Sequence, residues 1–316
     1  MKIIGFVCVL LTFFFSMISM YGAQTSDYIP ESCISMVTVT NIQGDPGISW
    51  MLDAWIHSPR QSPLRELLKA VKAREMSVAV FPPRQGSGPS LLCVMDIGKG
   101  AKPDKEKLNN VILPDPDTQI QSVSYKGSTI FSVQTDSPED FSAYAVLQDK
   151  LIFGSDTDMM KKAIDGPSVE KSAEYQKVKA FFPQRKDGLL FANNSGARFV
   201  EFLQPLEEKW NMTLLLSAEY LNWMGSSFDM LDSNQASGIF VFQGSDESKI
   251  EDIQDDAEFL GEAFKRKFIA EKIDYKSTVE VKGSAVILNM QIEGIEPLWK
   301  KLFEQGILSL IRPSSE

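Results

Sequence analysis

Histidine is almost missing from this chain: His57 is the only one among 316 residues. Histidine-based zinc sites and Ser-His-Asp triads need imidazole together with partners this chain does not supply, so both are excluded as the basis of its chemistry. Cysteine is nearly as scarce, with Cys8 inside an apolar amino-terminal run and only Cys33 and Cys93 beyond it. There is no C-x-x-C pair, no G-x-S-x-G elbow and no phosphate loop. The glycine pair in "GKGAKP", residues 98–103, runs into a proline and is no dinucleotide fingerprint. Positive charge is also in short supply, 32 basic against 42 acidic side chains for a net charge of −10. That sign disfavours a nucleic-acid backbone or an anionic membrane surface as partner. The expectation is therefore no cofactor, no metal and no nucleic acid.

What the chain does have is apolar mass. Hydrophobic residues make up 43% of it, including 20 Phe and 5 Trp, enough to offset the entropy of ordering a globular protein. The first 23 residues read as an export signal: Lys2 is the only charge, Ile3 to Phe15 is almost wholly apolar, and the small residues Gly22 and Ala23 follow. Two readings are open, a signal cleaved after Ala23 and an uncleaved anchor. Both predict an exported protein, periplasmic or extracellular, and loss of Lys2 would leave it one charge more negative. In an oxidising compartment Cys33 and Cys93 are a disulfide candidate, worth about 4 kcal/mol by the chain-entropy relation; two separate buried thiols are the other reading.

Along the chain, "SCISMVTVTN" is strand-like, and Ile48, Met51, Leu52, Trp55 and Ile56 then fall at helical spacing. His57 ends that helix, where a cation suits the terminus. Ser62 and Pro63 start a second helix. "MSVAVFP" and "SLLCVMDI" are strands, "DKEKLNNVI" a short helix, and "QIQSVSYKGSTIFSVQ" two strands turning at Lys126-Gly127. "AYAVLQDKLIFGSDTDMMKKAIDG", residues 143–166, adds a hairpin at Gln148-Asp149 and a helix ending at Gly166. Its carboxylates invite comparison with a metal or ligand site, but Asp149 suits the turn, Asp156 the helix cap and Asp158 the first helical turn. Later, Ser248 and Glu251 fit a capping box for a helix whose apolar side is Ile250, Ile253, Leu260, Phe264 and Phe268.

This grammar recurs. "VSYKGS" from Val123 matches "VEVKGS" from Val279, and strand, polar loop and helix succeed one another around both. A period of about 155 residues in two copies predicts duplication, not a solenoid. The predicted class is α+β: duplicated antiparallel β-sheet units with flanking helices on one side. The predicted organisation is a signal over 1–23, repeats over 24–165 and 187–316, and a polar linker helix over 166–186.

Ser168 to Lys171, "SVEK", has the S-x-x-K spacing of some serine hydrolases, without the S-D-N and K-T-G elements that accompany it. The segment "NMTLLLSAEYLNWMGSSFDML", residues 211–231, is apolar on nearly every side of any helix it forms. It is either buried or a contact surface for a lipid, an apolar peptide or an envelope protein. Leu215, Leu216, Tyr220, Trp223, Met224 and Phe228 are the candidate binding residues. The expected function is non-enzymatic binding or assembly outside the cytoplasm through an apolar groove or surface, with a hydrolase using Ser168 or carboxylates as the alternative. In a eukaryotic host Asn193 and Asn211 would stand in glycosylation sequons.

The apolar amino terminus, Ile29-Pro30 before a strand, and "YAVLQDKLIFGSDTDMMKKAID" together resemble a family of large exported bacterial proteins known as a domain of unknown function. The resemblance implies an envelope location. It supplies no catalytic residues.

Overall fold

A computed structural model of the chain describes residues 24–40, 42, 67, 71–82, 89–113, 118–134, 141–182, 187–194 and 217–297. The β-branched and aromatic runs become twelve strands: β1 Ser35–Thr40, β2 Glu75–Phe81, β3 Ser90–Asp96, β4 Gln121–Tyr125, β5 Ser128–Ser132, β6 Ala143–Leu147, β7 Lys150–Gly154, β8 Gly188–Asn193, β9 Leu221–Met230, β10 Gln235–Gly244, β11 Asp274–Lys282 and β12 Ala285–Glu293. Four α-helices accompany them among the described residues: α1 Lys105–Ile112, α2 Thr157–Asp165, α3 Ala173–Phe181 and α4 Ile250–Ala270. The signal region, the first predicted helix with His57, and Asn211, Leu215 and Leu216 lie outside the described residues. Of the second predicted helix, Leu67 and Val71 are described, helical and buried.

The strands form one antiparallel sheet in the order β11-β12-β10-β9-β8-β1-β2-β3-β7-β6-β5-β4. Local turn chemistry sets several of its hairpins. Lys126 and Gly127 both take positive φ, 46° and 80°, the two-residue turn whose twist matches that of the flanking strands. Gln148 likewise turns with φ 53° between β6 and β7. The seam of the sheet is β1 against β8, with Met36 opposite Phe191 and Val37 opposite Leu190; it makes one sheet of the amino- and carboxy-terminal halves.

Side chains alternate across the sheet, and both faces are apolar. On β3, Cys93 and Met95 join a front layer while Leu92 and Val94 join a back layer. The helices divide between them, which corrects the expectation of helices on one side. Leu108 and Ile112 of α1 and Ile253, Phe264 and Phe268 of α4 pack in front. Met159, Met160 and Ala163 of α2 and Tyr175 and Val178 of α3 pack behind. Val169, Tyr175 and Val178 of the predicted linker are buried in the back layer, where Tyr175 meets Phe191 edge-on at 5.4 Å. Val178 crosses β9 so closely that a Cβ on Gly225 would stand 2.8 Å from its Cγ1.

The same two layers remove the disulfide. Cys33 packs in the back layer and Cys93 in the front one, so the sheet stands between them and no bridge joins them. Burial pushes the Cys93 thiol up to about 12, which holds it protonated and unreactive.

Candidate functional site

The carboxylates of residues 143–166 are placed first by local geometry. Asp156 accepts from the Met159 amide at 2.7 Å and caps α2. Asp158, in the first turn, pairs with Lys161 at 3.2 Å. Asp165 stands at the carboxy-terminal end of α2, where the helix dipole disfavours a negative charge. Lys126 answers it from the β4–β5 turn at 2.7 Å, and the Tyr125 hydroxyl donates to it as well. Those hydrogen bonds from Lys126 and Tyr125 hold the Asp165 carboxyl below its ordinary range. These three groups, with Asp149 described below, do not converge, and no cluster of metal-binding side chains occurs among the described residues.

A second group of charges does converge, from segments far apart in the sequence. Glu75 on β2, Asp96 on β3 and Lys150 on β7 occupy successive register positions, Glu75 opposite Asp96 and Asp96 opposite Lys150. Alternation puts all three on the back of the sheet, and all are buried, Lys150 completely. The Lys150 ammonium lies 3.2 Å from Asp149 Oδ1 and 3.5 Å from Asp96 Oδ2. Neither contact meets strict hydrogen-bonding geometry, so charge attraction is the main tie between them. At Asp149 burial opposes ionisation, but the neighbouring Lys150 and Arg74 outweigh it and lower the carboxyl's pKa. Arg74 closes the row with two hydrogen bonds to Asp96, at 2.7 and 3.0 Å.

The amino-terminal segment lies over the far end of this row. A single 3-10 turn, Thr25–Tyr28, brings the Thr25 amide and hydroxyl to Glu75 Oε1 at 2.5 and 2.6 Å. Thr25, Ser77 and Thr38 continue the chain of hydroxyls at 2.6 and 2.8 Å. Ser26 donates to Glu170, which pairs with Lys179 of α3 at 2.8 Å. The arrangement latches residues 24–28 to the sheet and to α3.

Burial raises the Glu75 pKa more than the Thr25 hydrogen bonds lower it. The folded state therefore holds this proton more tightly than the unfolded chain, and the stability gained is lost as pH rises through the raised value. Glu75→Gln keeps an acceptor for Thr25 and removes the charge. Relative to wild type, the variant is expected to gain stability between about pH 4 and about pH 7. Urea titrations at both pH values check this, and an unchanged difference would rule it out.

Of the six apolar candidates, the four described ones do not share a face. Residues 221–230 form strand β9 and not a helix, and a strand buried on both sides reads as apolar all round. Trp223 packs behind the sheet, against Phe181 of α3 with ring centroids 5.6 Å apart. Phe228 is buried in front, where Tyr220 and Met224 also pack but remain partly exposed. The register shifts by one residue opposite Gln243 and Gly244. This bulge at Asn222 sends Leu221 and Met224 to the same layer. Lys249 sits 4.6 Å above the Tyr220 ring, at the entry to α4. A 3-10 turn, Glu247–Lys249, leads into it, capped by Asp246, which accepts from the Ser248 amide at 2.9 Å.

Ser168 is a structural hydroxyl. It caps the 3-10 turn Val169–Lys171 and donates to the Ser26 carbonyl at 2.9 Å, while Lys171 points to solvent. The two do not form a nucleophile and base. Asn193 ends β8 and is buried, which leaves no room for a glycan.

Comparison with known proteins finds no matching family model, curated protein or solved structure.

Proposed function

We propose that the chain is an exported, non-enzymatic protein that acts outside the cytoplasm by binding or assembly through an apolar surface. One observation carries the reading: the charged groups held at depth, Glu75, Asp96, Lys150 and Glu170, are engaged in tying strands and the amino-terminal latch together. Groups so engaged hold a scaffold, which supports a structural role for them. The apolar surface is assigned to the front of the sheet at Tyr220 and Met224, the members of the 211–231 segment that combine apolar bulk with exposure. Export rests on the apolar amino terminus, and kinship with the exported bacterial family rests on residues 144–165.

Duplication belongs to the same proposal. Three strands on each side of the β1–β8 seam lead to a front-face helix, α1 or α4, and then to a hairpin with a Lys-Gly turn. The amino-terminal half differs by the inserted β6–β7 hairpin, which lies between β3 and β5.

Native mass spectrometry of the mature protein from its own host, followed by organic extraction, tests the reading. A stoichiometric apolar ligand or a retained protein partner is expected. Met224→Glu places a charge in that contact and is expected to lower occupancy at least about tenfold, the equivalent of the 1.5–3 kcal/mol of a buried apolar side chain. Full occupancy in the variant would remove Met224 from the site. Catalytic turnover of a substrate by the purified protein would overturn the non-enzymatic assignment.

A further inference from the structure

Lys150 is the one lysine among the described residues with no exposed surface, and no partner of its ammonium meets hydrogen-bonding geometry. It lies 3.5 Å from Asp96 Oδ2 on the neighbouring strand. A pair this deep has given up the hydration of both charges. Condensation to a neutral amide removes both charges at once. Asp149 is also close, at 3.2 Å, but it is the lysine's own chain neighbour and a bond to it would join no second strand.

The Asp96 carboxyl is held as an acyl group would be held for attack. Its Oδ1 accepts from the Gly98 amide at 2.8 Å and from Arg74 Nη2 at 2.7 Å, two donors placed where the negative oxygen of a tetrahedral intermediate forms. Arg74 also reaches Oδ2 at 3.0 Å. On the other side of Asp96, Glu75 is its register partner across β2 and β3, so the two side chains are neighbours on one face of the sheet. Burial raises the Glu75 pKa, which keeps a proton at hand beside the carboxyl.

We propose that Lys150 and Asp96 condense to an isopeptide bond, with Glu75 as the proton carrier. Lys150 gives one ammonium proton to Oδ2, and the amine so formed attacks Asp96 Cγ. The C–N bond forms as the carbonyl electron pair moves onto Oδ1, between Gly98 and Arg74. Glu75 then protonates the Oδ2 hydroxyl, the Cγ–Oδ2 bond breaks and water leaves. The surplus proton on nitrogen returns to Glu75, so no oxidant or co-reactant is needed. The strand register supplies the high effective concentration that replaces chemical activation of the acid. The product staples β7, and with it the inserted β6–β7 hairpin, to β3, a covalent tie that Cys33 and Cys93 do not make. It forms once per chain and turns over no substrate. The ion pair is the state before reaction, and the stability of the row refers to freshly folded chain. The inference is independent of the surface at Tyr220 and Met224.

The mass of the mature protein, folded and then incubated, tests the proposal. Wild type is expected to be lighter than its sequence by one water, and its digest to contain a branched peptide joining Asp96 to Lys150. Lys150→Met is expected to fold and to keep the unreacted mass. Glu75→Gln keeps the acceptor for Thr25 but carries no exchangeable acid proton. It is expected to show native circular dichroism and to form the bond at least about a hundredfold more slowly, the usual contribution of a positioned acid and base. Bond formation at the wild-type rate in Glu75→Gln would overturn the part given to Glu75. Folded wild type that stays at the unreacted mass would overturn the whole proposal. So would a loss of water mapped to Asp165-Gly166 or Asp187-Gly188, where closure of a succinimide also releases water.

Discussion

Asp96→Ala is expected to lower the unfolding free energy by about 3–5 kcal/mol, the penalty for removing one member of a buried ion pair. Asp96 is the centre of its row: Arg74 binds it from the exposed side and Lys150 lies against it from the next strand. With Asp96 gone, the completely buried Lys150 ammonium keeps only Asp149, at 3.2 Å and without a hydrogen bond. The magnitude belongs to the stranded charge and not to the bond itself, which makes a second variant informative. Asp96→Leu combined with Lys150→Met removes both charges and fills the volume, and is expected to recover most of the loss. Urea unfolding of the three proteins at neutral pH measures both effects. A double variant no more stable than Asp96→Ala would mean that the ion pair contributes directly.

Trp223→Ala is expected to cost a further about 3–5 kcal/mol, the usual range for deleting a large buried aromatic side chain. Trp223 is 1% exposed and fills the space between β9 and α3 beside Phe181, so truncation leaves a cavity that Gly225 next to it cannot close. The same substitution separates two roles for this residue. A surface anchor for a ligand would tolerate alanine within about 0.5 kcal/mol and lose binding alone. Unfolding curves that coincide with wild type would therefore return Trp223 to the candidate surface.

Features determined by neighbouring residues were legible in the sequence. Positive φ at Lys126, Gly127 and Gln148 follows from local turn chemistry, and the Asp156 cap and the end of α2 at Gly166 follow from helix chemistry. The apolar stripe of α4 was equally clear, and Asp246 caps the 3-10 turn that leads into that helix. Features that depend on distant pairing were not legible. β9 carries apolar residues on both faces and a bulge that breaks its alternation, so its pattern cannot be told from that of a buried helix. The Glu75-Asp96-Lys150 row joins residues from three separate segments, and only the strand register brings them side by side. Cys33 and Cys93 each sit in strand-like sequence, but which layer each faces is a matter of register too. At the candidate site, Tyr220 and Met224 were recognised as apolar, while their exposure depended on the bulge.

The seam has a consequence for how the chain is made. β1 can pair with β2 as soon as residue 81 is available, but its other side waits for β8, which begins about 150 residues after β1 ends. At synthesis rates of about 5–20 residues per second that interval is on the order of ten seconds. For that time the growing chain presents Ser-Met-Val-Thr-Val-Thr as an open, β-prone rim. The amino-terminal half is thus an intermediate with one open strand edge, and a binding factor that shields residues 35–40 until β8 arrives is expected to raise the yield of folded protein.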